Sequence, residues 1–172
     1  YGRGAFDMKS GVAALMVAAA EAQFAGDVIV ALVADEEFGS TGTEQVLERF
    51  TADAAIVAEP SGLELTVAHR GFAWFEVAIS GRAAHGSQPE LGVDAIAHAA
   101  QIMRALDELG RSLAAGPAHP LLGHGTVRVS TISGGVDAAT VAPSATLTIE
   151  RRFLPGESPD AVEAELRLAL GA

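Results

Sequence analysis

The chain has no cysteine. That one absence removes disulfides, thiolate metal ligands and a cysteine nucleophile together. Bases are also scarce: 11 Lys and Arg stand against 22 Asp and Glu, a formal charge of -11. Such a balance argues against binding to nucleic acids and anionic membranes, which need basic patches, and it suits divalent cations. Apolar runs are short; none approaches bilayer length without a charge or turn signal, so no segment is expected to span a membrane. What remains is a 172-residue chain, 49% hydrophobic and 19% charged, the composition of a folded globular protein long enough to bury a core. There is no internal repeat. The chain opens on Tyr1 and not on methionine, so we expect a piece of a longer protein, and a cysteine-free composition fits the cytoplasm.

The first third reads as helix, strand, helix, strand. Lys9 to Ala25 carries Val12, Leu15, Met16, Ala19 and Ala20 on one face, and Gly26-Asp27 ends it. Val28 to Ala34 is a continuous apolar run, the pattern of a parallel strand covered on both faces. A short helix from about Thr43 to Phe50 precedes a second apolar strand, Ala54 to Ala58. This is the grammar of a layered α/β domain, in which ligands lie beyond the carboxyl ends of the strands. Asp35-Glu36-Glu37 and Glu59-Pro60 fall at those two ends.

The character changes near Gly62. Leu63 to Ser80 reads as two short strands or one bent one, with Phe75, Val77 and Ile79 on one face and Trp74, Glu76 and Ala78 on the other. Gly81 to Gly92 is a turn-rich loop holding His85. Val93 to Leu109 is an amphipathic helix with Ile96, Ala99, Ile102, Met103 and Leu106 inward, His98 and Arg104 outward, and Gly110 as its stop. Thr126 to Ile132 and Ser144 to Phe153 alternate as strands across Gly134-Gly135. A last helix starts with Ser158 as N-cap and Pro159 in first position, and halts at Gly171. A split βαβ unit of ferredoxin type would need one more strand. The expected division is therefore residues 1–62 and 63–172.

Each chemical motif has a bland alternative. Gly2-Arg3-Gly4 makes a tight turn that delivers Asp7 to the mouth of a helix; alone, Asp7 would be an ordinary N-cap. A phosphate-binding loop does not fit, because Met8 stands where the glycine before Lys9 is needed. Glu36 and Glu37 repel one another unless a cation or proton intervenes, and Pro60 keeps Glu59 extended. Three acidic positions at equivalent sheet ends are harder to dismiss than one, and an oxygen-rich set suits zinc, manganese or cobalt. His85, between small residues, is an accessible donor for an oxyanion or simply a surface histidine. Arg152 either meets a substrate carboxylate or pairs with Glu150 or Glu157.

Three stretches then carry a resemblance. Gly2-Arg3-Gly4-Ala5-Phe6-Asp7-Met8-Lys9, Asp35-Glu36-Glu37-Phe38-Gly39-Ser40 and Ala58-Glu59-Pro60-Ser61 resemble the dinuclear-metal deacylases and peptidases. That group includes acetylornithine deacetylase, succinyl-diaminopimelate desuccinylase, aminoacylase and carboxypeptidase G. Gly81 to Ile96 is similar to the start of the family's lid domain, and Arg152-Phe153-Leu154-Pro155-Gly156-Glu157 to its Arg-x-x-Pro-Gly-Glu segment. The likeness runs in order through nearly the whole chain.

The resemblance implies an α/β fold: part of a layered zinc-hydrolase catalytic domain, then an inserted ferredoxin-like α+β lid lacking its last strand. It implies that Asp7 bridges two divalent ions, most readily zinc, with cobalt or manganese as substitutes. Glu37 would ligate one ion and Glu59 the other. Glu36 would be the general base, His85 would reach the tetrahedral intermediate across a dimer interface, and Arg152 would hold the substrate carboxylate. A cis Asp7–Met8 peptide is implied as well. Thr140 stands, among substrate-binding positions, where the family often has asparagine, so amide recognition is lost there. The family's His-x-Asp motif and C-terminal histidine have no counterpart in these residues, which implies that the chain alone is inactive and truncated at both ends. The expected activity of the intact protein is metal-dependent hydrolysis of N-acyl amino acids or small peptides, as a homodimer joined through the lid. The alternative is a non-catalytic dimerisation module of the same ancestry.

Overall fold

A computed structural model describes residues 1–171. The chain divides into two compact units, Tyr1–Thr66 and Val67–Ala172.

In the first unit a helical turn at Ala5–Lys9 leads into α1, Ser10–Glu21, and α2 covers Thr41–Leu47. Helix α1 ends short of the expected Ala25, and α2 begins before the expected Thr43. The expected strands are not formed: residues 28–34 and 54–58 carry no ladder, and Ile56 is 84% exposed. The reason is physical. An apolar run of strand length satisfies its backbone groups only beside a neighbouring strand, and no residue of this unit sits in one. None of its residues is buried.

The second unit holds the core. Strands β1 (Gly71–Ser80), β2 (Thr126–Gly134) and β3 (Ser144–Phe153) form one antiparallel sheet in the order β1-β3-β2. Residues 63–70, expected to be extended in a strand, lie outside the ladder. Phe75 pairs with Ile149 and Val77 with Leu147, while β2 shifts register between Val129 and Thr131. Helices α3 (Ala95–Ala115) and α4 (Pro159–Leu170) supply the covering layer. Ala95 and Ala99 pack with Ile79, Ala145 and Leu147; Leu106 packs with Ile149, Val162 and Leu166.

Local signals explain the helix ends. The Asp94 carboxylate accepts from the N–H groups of Ile96 and Ala97, and the Ser158 hydroxyl accepts from that of Ala161. Gly171 closes α4 in the left-handed region, at φ 71°. Gly110 does not stop α3. It lies beside Val127 of β2, and packing of the neighbouring Leu109 against the second cluster outweighs the roughly 1 kcal/mol that a mid-helix glycine costs. Ile96, expected to face inward, is exposed, because its neighbours Ala95 and Ala99 define the buried stripe. No helix among the described residues is long and apolar enough to cross a membrane.

Candidate functional site

A glycine contact brings two acidic positions of the first unit together. Gly11, on the first turn of α1, lies so close to Ala58 that an added Cβ would come within 3.3 Å of the Ala58 Cβ. Close approach there places Asp7, four residues upstream, beside Glu59, one residue downstream. The Asp7–Met8 peptide is cis, as the resemblance implies. Residues 35–41 close on themselves. The Ser40 N–H donates to the Asp35 carbonyl at 2.6 Å, the Thr41 hydroxyl to Asp35 Oδ2 at 3.0 Å, and the Ser40 hydroxyl to the Glu36 carbonyl at 3.2 Å. Asp35 takes a positive φ of 61° to allow this, a conformation aspartate tolerates better than most residues.

The electrostatics report the result. Glu59 is held above the ordinary glutamate value by partial desolvation, by the charges of Asp7, Glu36 and Glu37, and by a hydrogen bond with Asp7. A carboxyl hydrogen-bonded to another carboxyl needs a proton or a cation between them. Since Glu59 is exposed, the crowding of charge is the more informative cause. In kind, this donor set fits divalent cations. As placed, it is not closed around one: among the described residues no three His, Cys, Asp or Glu side chains form a group able to hold a metal ion.

In the second unit His85 is exposed in a tight turn, with the Gln88 N–H donating to the His85 carbonyl at 2.8 Å. The turn is held by the segment before β3. Gly86 N–H donates to the Ala139 carbonyl, Val141 N–H to the Ala84 carbonyl, and His85 bridges Thr140. An added Cβ at Gly86 would meet the Ala139 oxygen at 2.9 Å, so this approach needs glycine. The Thr140 hydroxyl donates to Asp137 Oδ2 at 3.1 Å, which commits its single proton inside the protein. Bonds from the Ala139 N–H and the Thr140 hydroxyl hold the Asp137 carboxyl below its usual value, with a smaller contribution from His85. Nδ1 of His85 lies 2.8 Å from the Ser87 hydroxyl and 3.2 Å from the Ser87 N–H.

Arg152 is one-third exposed, and its Nε donates to Glu150 while its guanidinium sits 5.0 Å over the Phe72 ring. Glu150, buried at 4% exposure, also accepts from Arg128. Burial pushes the Glu150 carboxyl up, and the two guanidiniums outweigh it, leaving a net downward shift. A cavity of about 360 Å³ lies beside Arg152, lined also by His69, Arg70, Leu121 and Leu122. Of the two expected pairings of Arg152, the one with Glu150 is present, whereas Glu157 instead pairs with Arg151. Sequence reasoning passed over Ser87, Asp137 and Arg128. Only Arg128 left a trace, through its period-two placement on the face of β2.

Comparison with known proteins follows the same division. Residues 67–172 match the family described as the peptidase dimerisation domain, M20_dimer. Over 170 residues the chain is 33% identical to the acetylornithine deacetylase of Myxococcus xanthus, spanning 94% of this chain and 44% of that protein. It is 32% identical over 185 residues to a probable carboxypeptidase of Aspergillus terreus, covering 99% of this chain and 43% of that one. The crystal structure of an aminobenzoyl-glutamate utilization protein from Klebsiella pneumoniae aligns with a TM-score of 0.46 at 30% identity, over 59% of this chain and 24% of that chain. The chain thus spans less than half the length of the curated relatives it matches.

Proposed function

We infer the function from one premise: the chain belongs to the M20 peptidase family, with residues 67–172 as its dimerisation domain. We propose that residues 1–62 are part of a metal-dependent amide hydrolase site that acts, within a longer polypeptide, on N-acyl amino acids or small peptides. One observation carries this reading: the close approach of Gly11 to Ala58 sets Asp7 beside Glu59, whose carboxyl is raised by partial desolvation and by the charges of Asp7, Glu36 and Glu37 from two distant stretches of chain. Uncompensated, that crowding costs free energy, and divalent cations would relieve it.

In this proposal Asp7, Glu37 and Glu59 hold two divalent ions, zinc before cobalt or manganese. Bound there, such ions would acidify water and polarise the scissile carbonyl. Glu36 is the general base; it accepts a proton from the attacking water and returns it to the leaving amine. His85 donates a hydrogen bond to the oxygen that gains charge, and Arg152, already oriented by Glu150, meets the substrate carboxylate. Thr140 contributes its oxygen only as an acceptor, because its proton is committed to Asp137. The second unit serves as a ferredoxin-like lid through which two copies associate, and the setting is cytoplasmic, as the cysteine-free composition suggests.

The test uses a polypeptide extended to the length of its relatives. Glu36→Ala should abolish deacylase and peptidase turnover while the bound metal content stays at the wild-type level. Unchanged turnover would remove Glu36 from the mechanism. A second reading, a dimerisation module without catalysis, draws on the family match itself, which covers the second unit alone. A chain of full family length that dimerises but neither binds metal nor turns over substrate would favour it.

A further inference from the structure

The functional reading asks His85 to donate a hydrogen bond, and a neutral imidazole donates from one ring nitrogen only. Which nitrogen carries the proton is decided by what the other one meets. Nδ1 of His85 meets two groups of a single residue: the Ser87 backbone N–H at 3.2 Å and the Ser87 hydroxyl at 2.8 Å. A backbone N–H can only donate, so it requires a lone pair on Nδ1. The hydroxyl rotates freely and donates to the same lone pair. A proton on Nδ1 would face the Ser87 N–H head-on and leave that group without its acceptor.

We propose that Ser87 is the positioning residue of His85, locking the neutral ring as the Nε2–H tautomer. The ring is thereby folded back along its own turn, and Nε2 carries its remaining donor on an exposed residue. Several neighbours make this arrangement durable. The Gln88 N–H closes the turn onto the His85 carbonyl at 2.8 Å, the Gly86 N–H ties it to the Ala139 carbonyl at 2.6 Å, and Val141 N–H ties Ala84 to the same segment at 2.9 Å. Asp137, the nearby carboxylate that feels His85, is held by the Ala139 N–H and the Thr140 hydroxyl. It therefore stays an acceptor for its own loop. Sequence alone shows no such link, since Ser87 reads as one more small polar residue in a turn.

The use of this donor on an oxyanion rests on the reading given under Proposed function; the pairing of Ser87 with His85 does not. Long-range nitrogen-15 correlation spectra of the chain, recorded where the imidazole is neutral and assigned by loss of signals in His85→Gln, read the tautomer directly. Wild type should show a protonated Nε2 and a lone pair on Nδ1. Ser87→Ala removes the hydroxyl and keeps the backbone N–H, so it should move the Nδ1 shift only part of the way toward a value averaged over both tautomers, and Ser87→Thr, which keeps the hydroxyl, should restore it. Ser87 is exposed, so both variants should keep the backbone spectrum of β1, β3 and α3. A protonated Nδ1 in wild type overturns the proposal, and an unchanged Nδ1 shift in Ser87→Ala overturns the part of the lock assigned to the hydroxyl.

In the polypeptide extended to family length, Ser87→Ala should lower kcat roughly fivefold, the equivalent of one neutral hydrogen bond, with KM unchanged and Ser87→Thr near wild type. If Ser87→Ala shifts the ring but His85→Ala leaves turnover intact, the pairing stands and the oxyanion role of His85 falls.

Discussion

The guanidinium of Arg151, with no exposed surface, lies 2.9 Å from Oε2 of Glu165, a carboxylate one-third open to water. Its second partner, Glu157, stands at 3.1 Å, and its Nη1 donates to the Arg152 carbonyl. One buried cation thus ties β3 to α4 and to the turn between them. The expensive event is to leave that cation unpaired, not to lose the pairs as such. Glu157→Gln combined with Glu165→Gln should therefore cost about 3 kcal/mol or more. Arg151→Met, which removes the buried charge and keeps much of its volume, should cost less. Urea denaturation of the two variants checks the order, and a reversed order would mean that packing of the arginine stem dominates.

Glu150 gives a pH signature. Its folded pKa lies below 4.5, so its pairs with Arg128 and Arg152 stabilise the protein fully above the unfolded value and lose that effect as pH falls through the folded value. Wild type should be more stable than Glu150→Gln at pH 6, and the gap between their denaturation midpoints should narrow below about pH 4.5. A gap independent of pH would show that the carboxylate charge contributes nothing.

Glu59 has the opposite sign. Its pKa is raised above 4.5 by partial desolvation and by three neighbouring carboxylates, so its ionised form is the one the fold disfavours. Stability linked to it is complete at low pH and lost as pH rises through the folded value. Glu59→Gln should raise the thermal stability of the metal-free chain at neutral pH, and the gain should vanish below about pH 4.5. Zinc or manganese should stabilise wild type more than Glu59→Gln. Equal stabilisation of both would separate Glu59 from cation binding.

Protection from hydrogen exchange should be confined to one part of the chain. The buried residues among those described all lie between Ile79 and Leu166, whereas residues 28–34 and 54–58 have no ladder. Mass spectrometry should find slow amides in β1, β3, α3 and α4, and near-intrinsic rates in residues 28–34 and 54–58. Slow exchange at 28–34 would mean that this apolar run pairs in solution after all.

What sequence determined here is whatever depends on residues close together in the chain. The N-caps Asp94 and Ser158, the glycine ending α4, the alternating face of β1 and the glycine turn ahead of Asp7 are local signals whose physics acts within a few residues. That Asp7, Glu36 and Glu37 come within electrostatic reach of Glu59 agrees with the rule that ligands collect at strand ends, although the strands themselves did not form and, among the described residues, no three such side chains group to hold a metal ion. Tertiary structure decided the rest. Whether Val28 to Ala34 becomes a strand depends on a neighbour that its own residues cannot supply. Whether Gly110 ends a helix depends on what lies against Leu109. The partner of Arg152, the burial of Arg151 and the two donors on Nδ1 of His85 are set by distances across the fold or around a turn, and composition and periodicity do not encode them.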